Sequence, residues 1–272
     1  RLLPAGRGVR FCMQGSARLF ALAMLLRVGV YNVLSISREY RVEHIIQELG
    51  CDILLLSGTG IRSQNDCNHH VQRLPNVGFI IHFGHSRGPF TNRHAGCAIF
   101  CSAKYFNLRM IQRIFVPPAA VQGRGGGIRL KGKYRGENFD IAPAVGYNAP
   151  PTTGSQKITH EKANEITNNW LQNHLQSLPA RTQPFLGADI NSKLGTTKAG
   201  NRWEAGTGDF NTGVASTAGE SWEQWFLTTG FGSATTMHED AGPTFFSSRA
   251  NGTTIDHFIA PMELCTKLKA VR

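Results

Sequence analysis

The stretch Phe185-Leu186-Gly187-Ala188-Asp189-Ile190-Asn191, continuing into Ser192-Lys193-Leu194-Gly195, decides how this chain is read. An apolar run carrying a glycine ends by presenting an acid and an amide two residues apart. Side chains at i and i+2 of a strand share a face, so Asp189 and Asn191 are expected to project together from a strand end. A carboxylate beside a carboxamide suits the holding of a water next to a hard cation. The same residue types also crowd ordinary strand-end turns. The neighbouring segments have to decide between the two.

Upstream, residues 26–33 (LRVGVYNV) read as a buried strand rich in β-branched residues. Apolar positions at 42, 45, 46 and 49 give 38–49 the spacing of an amphipathic helix, and Gly50 stands where a C-cap glycine belongs. Residues 52–56 are a second apolar strand, so this region is a βαβ unit, parallel in sense. Short strands follow at 77–83, 97–102, 110–116, 128–133 and 139–147, with few helical signals between them, and read as antiparallel hairpins. A second helix fits 161–178, where Ile166, Trp170, Leu171, Leu175 and Leu178 form one stripe that Pro179 helps stop. After the Asp189 strand come a Gly/Thr-rich loop over 195–219, a short helix near 220–228 and a last strand around 254–260. Gly123-Arg124-Gly125-Gly126-Gly127 reads as a flexible hairpin turn, because the strand-to-helix context of a dinucleotide fingerprint is missing. No repeat is visible, and one domain is expected.

Polar residues recur at the strand ends: Asn32, Ser57 to Thr59, Tyr147, Asp189 with Asn191, and Asp256 with His257. Sites of layered α/β proteins form where such ends converge. His257 adjoins Asp256 on the strand, points to the opposite face and reads as a packing or surface histidine.

The 272 residues include 41% hydrophobic and 17% charged, ordinary for a globular protein. Lys and Arg number 29 against 18 Asp and Glu, a net charge of +11 that favours phosphate-bearing partners, with nucleic acid first. Six cysteines at 12, 51, 67, 97, 101 and 265 lack the density of a disulfide scaffold and read as reduced thiols, which points to an intracellular protein. Cys67, His70, His82 and His85 have a spacing that could supply four zinc ligands, but the pairs flank a short apolar strand and the plain loop reading is preferred. Arg1, Arg7, Arg10, Arg18 and Arg27, with no acid before Glu39, give the N-terminus the composition of a transit peptide. Its Leu19–Leu26 run flows into the first strand, so a disordered basic extension or upstream translated sequence over 1–25 is preferred, with Met24 as a candidate start. No stretch is apolar and long enough for a membrane span, so a soluble protein is expected.

Five segments in this order resemble the endonuclease/exonuclease/phosphatase superfamily, the fold of deoxyribonuclease I and abasic-site endonucleases, and look closest to non-LTR retrotransposon endonuclease domains. They are VGVYNVLSI at 28–36, CDILLLSGTGIR at 51–62, AVGYNAPP at 144–151, PFLGADINSKLG at 184–195 and TTIDHFIAP at 253–261. The resemblance implies a four-layer α/β sandwich, two mixed β-sheets face to face with helices outside, over residues 26–272. It implies a Mg²⁺- or Mn²⁺-dependent phosphodiesterase acting on nucleic acid, DNA above all, as a monomer compatible with the nucleus. Asp189 would orient and deprotonate the attacking water, Asn191 would fix water or phosphate beside it, and Tyr147 would hydrogen-bond a phosphate oxygen. Asp256 would orient a catalytic histidine, and Asn32 would belong to the metal environment.

Two departures accompany the resemblance. The family's metal-binding glutamate at the end of the second strand is matched by Gly58 of Ser57-Gly58-Thr59, and the next acid is Asp66. The Ser-Asp-His segment and last strand that follow Ile255–Ile259 in the family have no counterpart before Arg272. Weak metal binding and impaired activity are therefore expected, with a non-catalytic nucleic-acid-binding relic as the alternative. A phosphatase on a phospholipid or inositol phosphate is a further alternative.

Overall fold

The computed structural model describes residues 9–13, 26–33, 39–63, 67–85, 95–134, 136–154, 156–195, 206–210, 214–242, 244 and 254–271. In chain order the elements are β1 (Val9–Met13), β2 (Arg27–Asn32), α1 (Glu39–Leu49), β3 (Ile53–Ser57), β4 (His70–Leu74), β5 (Gly78–Phe83) and β6 (Cys97–Ser102). Next come β7 (Ile111–Phe115), β8 (Gly125–Tyr134), β9 (Glu137–Tyr147), α2 (Gln156–Gln176) and β10 (Gln183–Asp189). The last are α3 (Thr217–Thr229), β11 (Phe231–Ser233), α4 (Ala234–Met237), β12 (Asp256–Pro261), α5 (Met262–Cys265) and β13 (Leu268–Val271).

Among the described residues the strands make two sheets, ordered β13-β1-β2-β3-β6-β5-β4 and β11-β12-β10-β9-β8-β7. Each holds one parallel pair, β2 with β3 and β9 with β10, in an otherwise antiparallel set. The run Ile53-Leu54-Leu55-Leu56 shows why the sheets stack. Ile53 and Leu55 point into a central cluster with Val28, Val30, Phe185 and Phe258. Leu54 and Leu56 point out into a second cluster with Val42, Ile45 and Ile46 of α1. A strand buried on both faces needs this unbroken apolar run rather than alternation. On the far side, Ala144, Leu186 and Ile259 of the second sheet pack against Leu171 and Leu175 of α2 and Trp222 and Phe226 of α3. Three apolar clusters between four layers give the expected α/β sandwich with helices outside.

Local signals act where the sequence places them. Gly50 closes α1 at φ 54°, its N–H donating to Ile46 O at 3.0 Å. Ser216 caps α3, and Gly230 ends it in the left-handed region at φ 72°. Helix α2 begins at Gln156, earlier than its apolar stripe suggests, because its first turn is exposed and polar.

Two expectations change. Gly125, Gly126 and Gly127 are the first residues of β8, paired with β9, rather than a flexible turn. A Cβ on Gly126 would lie 2.2 Å from Phe83 ring carbons, while one on Gly125 or Gly127 would lie 2.7 Å from Trp170 or His174. Glycine is required there because core and helix approach the strand from both faces. Within the N-terminal segment expected to be disordered, Val9–Met13 form β1, which bridges β2 and β13 by antiparallel pairing on both sides. The other residues of that extension lie outside those described, as do 196–205 and 211–213 of the Gly/Thr-rich loop and Asp66. In the region of the zinc spacing, His70 and His82 occupy paired register positions with rings stacked at 4.5 Å, and His82 Nε2 lies 3.1 Å from Gln72 Oε1. Among the described residues no three His, Cys, Asp or Glu side chains cluster in a way that could hold an ion. No helix among them is long and apolar enough to cross a membrane.

Candidate active site

Parallel pairing aligns the ends of β2 and β3, and of β9 and β10. Asn32 is in register with Ser57, and Asp189 with Tyr147 on one side and Asp256 on the other. One hydrogen bond then joins the two sheets, with Asn32 Nδ2 donating to Asp189 Oδ2 at 2.6 Å. Asn32, Tyr147, Asp189, Asn191 and Asp256 therefore meet at one end of the sandwich, while the backbone continues from Ser57 into Gly58.

Asp189 is 1% exposed. Its Oδ1 accepts the Asn191 N–H at 3.0 Å. Asn191 does not project from the strand, as i, i+2 geometry predicts. Strand β10 stops at Asp189, and Asn191 turns into the left-handed region at φ 46°. That turn is the one an Asx hydrogen bond favours. The Asn191 amide is held instead by Asn148, its Nδ2 donating to Asn148 O at 2.6 Å.

Asn148 is the residue that sequence reading missed. It is buried, donates its N–H to Asp189 O at 2.8 Å, and donates Nδ2 to Asn168 Oδ1 of α2 at 2.9 Å and to Ile190 O at 3.2 Å. It ties both sides of the Asp189–Asn191 turn to β9 and α2. Its signal was a polar residue beside Tyr147 at the strand end. Arg124 was passed over inside the glycine run. It is 1% exposed, 5.9 Å from the Tyr147 ring centroid, and burial lowers its pKa. Tyr147 itself is buried, with its ring in the central cluster.

Asp256 is 4% exposed. Its N–H donates to Thr244 Oγ1 at 3.1 Å, and its Oδ1 has no hydrogen-bond partner among the described residues. Burial pushes its carboxyl up to about 7. Asp189 is raised well above the carboxylate range, first by burial and then by the neighbouring Asp256 charge. Two buried acids face to face cannot both ionise without a compensating cation. The pair thus concentrates negative charge that a hard divalent cation would compensate, with these two carboxylates as its acidic donors among the described residues.

The end of β3 is different. Ser57 offers only a buried hydroxyl, and Gly58 carries no ligand. Gly58 also has φ 66°, a conformation that disfavours any L side chain. His257, fully buried, packs with Nδ1 3.0 Å from Ser233 Oγ, and burial holds its pKa down at about 4. It is a neutral packing histidine.

No protein-family model matches the chain, and no curated protein matches its sequence significantly. Solved structures do match. An AP endonuclease from Archaeoglobus fulgidus aligns over 89% of each chain at 16% identity and TM-score 0.56. The human Nocturnin catalytic domain aligns over 93% of this chain and 86% of its own at 15% identity and TM-score 0.48. The endonuclease domain of TRAS1, a telomere-specific non-LTR retrotransposon, aligns over 88% and 86% at 12% identity and TM-score 0.46. Together with the layer order, the first of these shows that the chain has the fold of that AP endonuclease, the four-layer α/β sandwich that the sequence resemblance implies.

Proposed function

We propose that this chain is a metal-dependent phosphodiester hydrolase of the retroelement DNA endonuclease type, weakened by the missing ligand at Gly58. The observation that carries the reading is the convergence of Asn32, Tyr147, Asp189, Asn191 and Asp256 from both sheets onto one strand end. Asp189, stripped of water and raised in pKa, is basic enough to take a proton from an attacking water once it is ionised. Asn32 and the Asn191 N–H fix both of its oxygens, so the base is oriented before substrate arrives. The Tyr147 hydroxyl and the Asn191 amide would donate to phosphate oxygens. Mg²⁺ or Mn²⁺, held by Asp189 and Asp256, would neutralise charge developing on the phosphate. The basic surplus of the chain supports nucleic acid as the substrate.

The test is hydrolysis of bis(4-nitrophenyl) phosphate. Nitrophenolate release that needs divalent metal and is lost in Asp256→Ala supports the reading. No release from folded protein favours a second reading, a nucleic-acid-binding relic, for which the left-handed glycine at 58 is the specific observation. A relic would bind DNA with affinity falling steeply with salt and indifferent to Mg²⁺.

A further inference from the structure

The outer edge of the second sheet carries a groove of about 530 Å³, between β7 and the C-terminal half of α2, and none of its lining residues belongs to the Asp189 cluster. Its lining includes Arg113, Phe115, Arg129, Trp170, His174 and Pro179. The planar groups adjoin one another in series, with the Phe115 and His174 planes tilted by 50°. Arg113 lies over the Phe115 ring at 4.9 Å, Phe115 sits 4.3 Å from His174, and His174 stacks on Trp170 at 5.6 Å with 9° between the planes. Phe115 and Trp170 are only half-buried, so ring surface remains accessible.

His174 is 5% exposed, and its Nε2 has no hydrogen-bond partner among the described residues. Burial, with the Arg113 charge beside it, holds its pKa down at about 4, so it adds a neutral ring to the series. The positive charge comes from arginine. Asp140 pairs with Arg129 at 2.6 Å and with Arg181 at 3.4 Å. Arg113 is exposed and makes no ion pair among the described residues. Three guanidinium groups against one carboxylate leave this edge net positive.

Stacking surface next to uncompensated guanidinium is the chemistry that recognises a base and its phosphate together. We propose that this groove is a second nucleic-acid contact, taking an unpaired nucleotide whose base packs against the half-buried Phe115 ring and whose phosphate pairs with Arg113. The inference rests on the reading of the chain as one that acts on nucleic acid. Its position on an edge strand outside the Asp189 cluster would let a substrate be gripped at two points. A free nucleotide offers the same base and phosphate as a strand does.

The test is fluorescence anisotropy of the full chain with a labelled deoxyadenylate oligonucleotide of about ten residues, in EDTA so that metal and cleavage play no part. The expected result is binding that Arg113→Glu weakens by about tenfold or more. An abasic oligomer of the same length should bind about as poorly to wild type as the oligoadenylate does to the variant. Competition by AMP at concentrations matching the oligonucleotide's dissociation constant would assign the groove to free nucleotide, and its failure would assign it to the strand. Equal binding of abasic and base-bearing oligomers, unchanged affinity in Arg113→Glu, or no binding at all would overturn the proposal. Because Arg113 lies outside the proposed hydrolytic site, phosphodiester hydrolysis in Arg113→Glu separates the two readings. Loss of groove binding with hydrolysis of bis(4-nitrophenyl) phosphate intact supports both. Binding without any hydrolysis leaves the groove standing and removes the enzyme.

Discussion

Asp189 and Asp256 face each other across β10 and β12, both buried and both raised in pKa. A carboxyl whose folded pKa exceeds its unfolded value binds more protons when folded, so its contribution to stability falls as pH rises. For Asp256 the window runs from the ordinary carboxylate value of 3.8 to about 7. Denaturant midpoints measured without metal should therefore decline across that window, and Asp256→Asn should flatten the decline. A divalent cation should restore stability most at the high end of the window, where the carboxyls bind it without competing protons. A flat pH profile in wild type would contradict the buried pair. Gly58→Glu should raise Mg²⁺ affinity in a calorimetric titration while costing about 1–2 kcal/mol of stability, since its φ of 66° is left-handed. Unchanged affinity would count against the alignment of β3. The acids and Asn32 were legible in the sequence because residue type and strand-end position both flagged them. Asn148 was not, because its role is to bind the Asp189 and Ile190 carbonyls and the Asn168 side chain of α2, which meet only after folding.

At the scale of elements, periodicity carried most of the reading. The apolar runs at β2, β3 and β6 and the stripe of α2 correspond to buried faces in the folded chain. The glycine run of β8 was misread because glycine has no side chain from which periodicity can be read. Its fitness for a strand depends on Phe83 on one face and Trp170 and His174 on the other, all distant in sequence. Gly126→Ala should therefore destabilise the protein by about 1–3 kcal/mol or more in chemical denaturation, as overpacking does. A change within a few tenths of a kcal/mol would contradict the close approach of Phe83. The β1–β13 pairing was illegible for a different reason. Two short strands from opposite ends of the sequence come together at a sheet edge, and neither carries a strong pattern of its own.

For the whole molecule, segment order was the decisive signal. Four of the five segments end a strand and the fifth opens one at Asp256, and the two mixed sheets bring those termini to one side of the sandwich. The basic surplus suits that arrangement to a polyanionic substrate. The measurement that bears most directly on this account is nicking of supercoiled plasmid by the purified chain with Mg²⁺, in parallel with Asp189→Ala. The account predicts slow, metal-dependent nicking that the substitution abolishes while the folded state survives. Nicking that persists in Asp189→Ala, or none from folded wild-type protein at any divalent metal concentration, would contradict it.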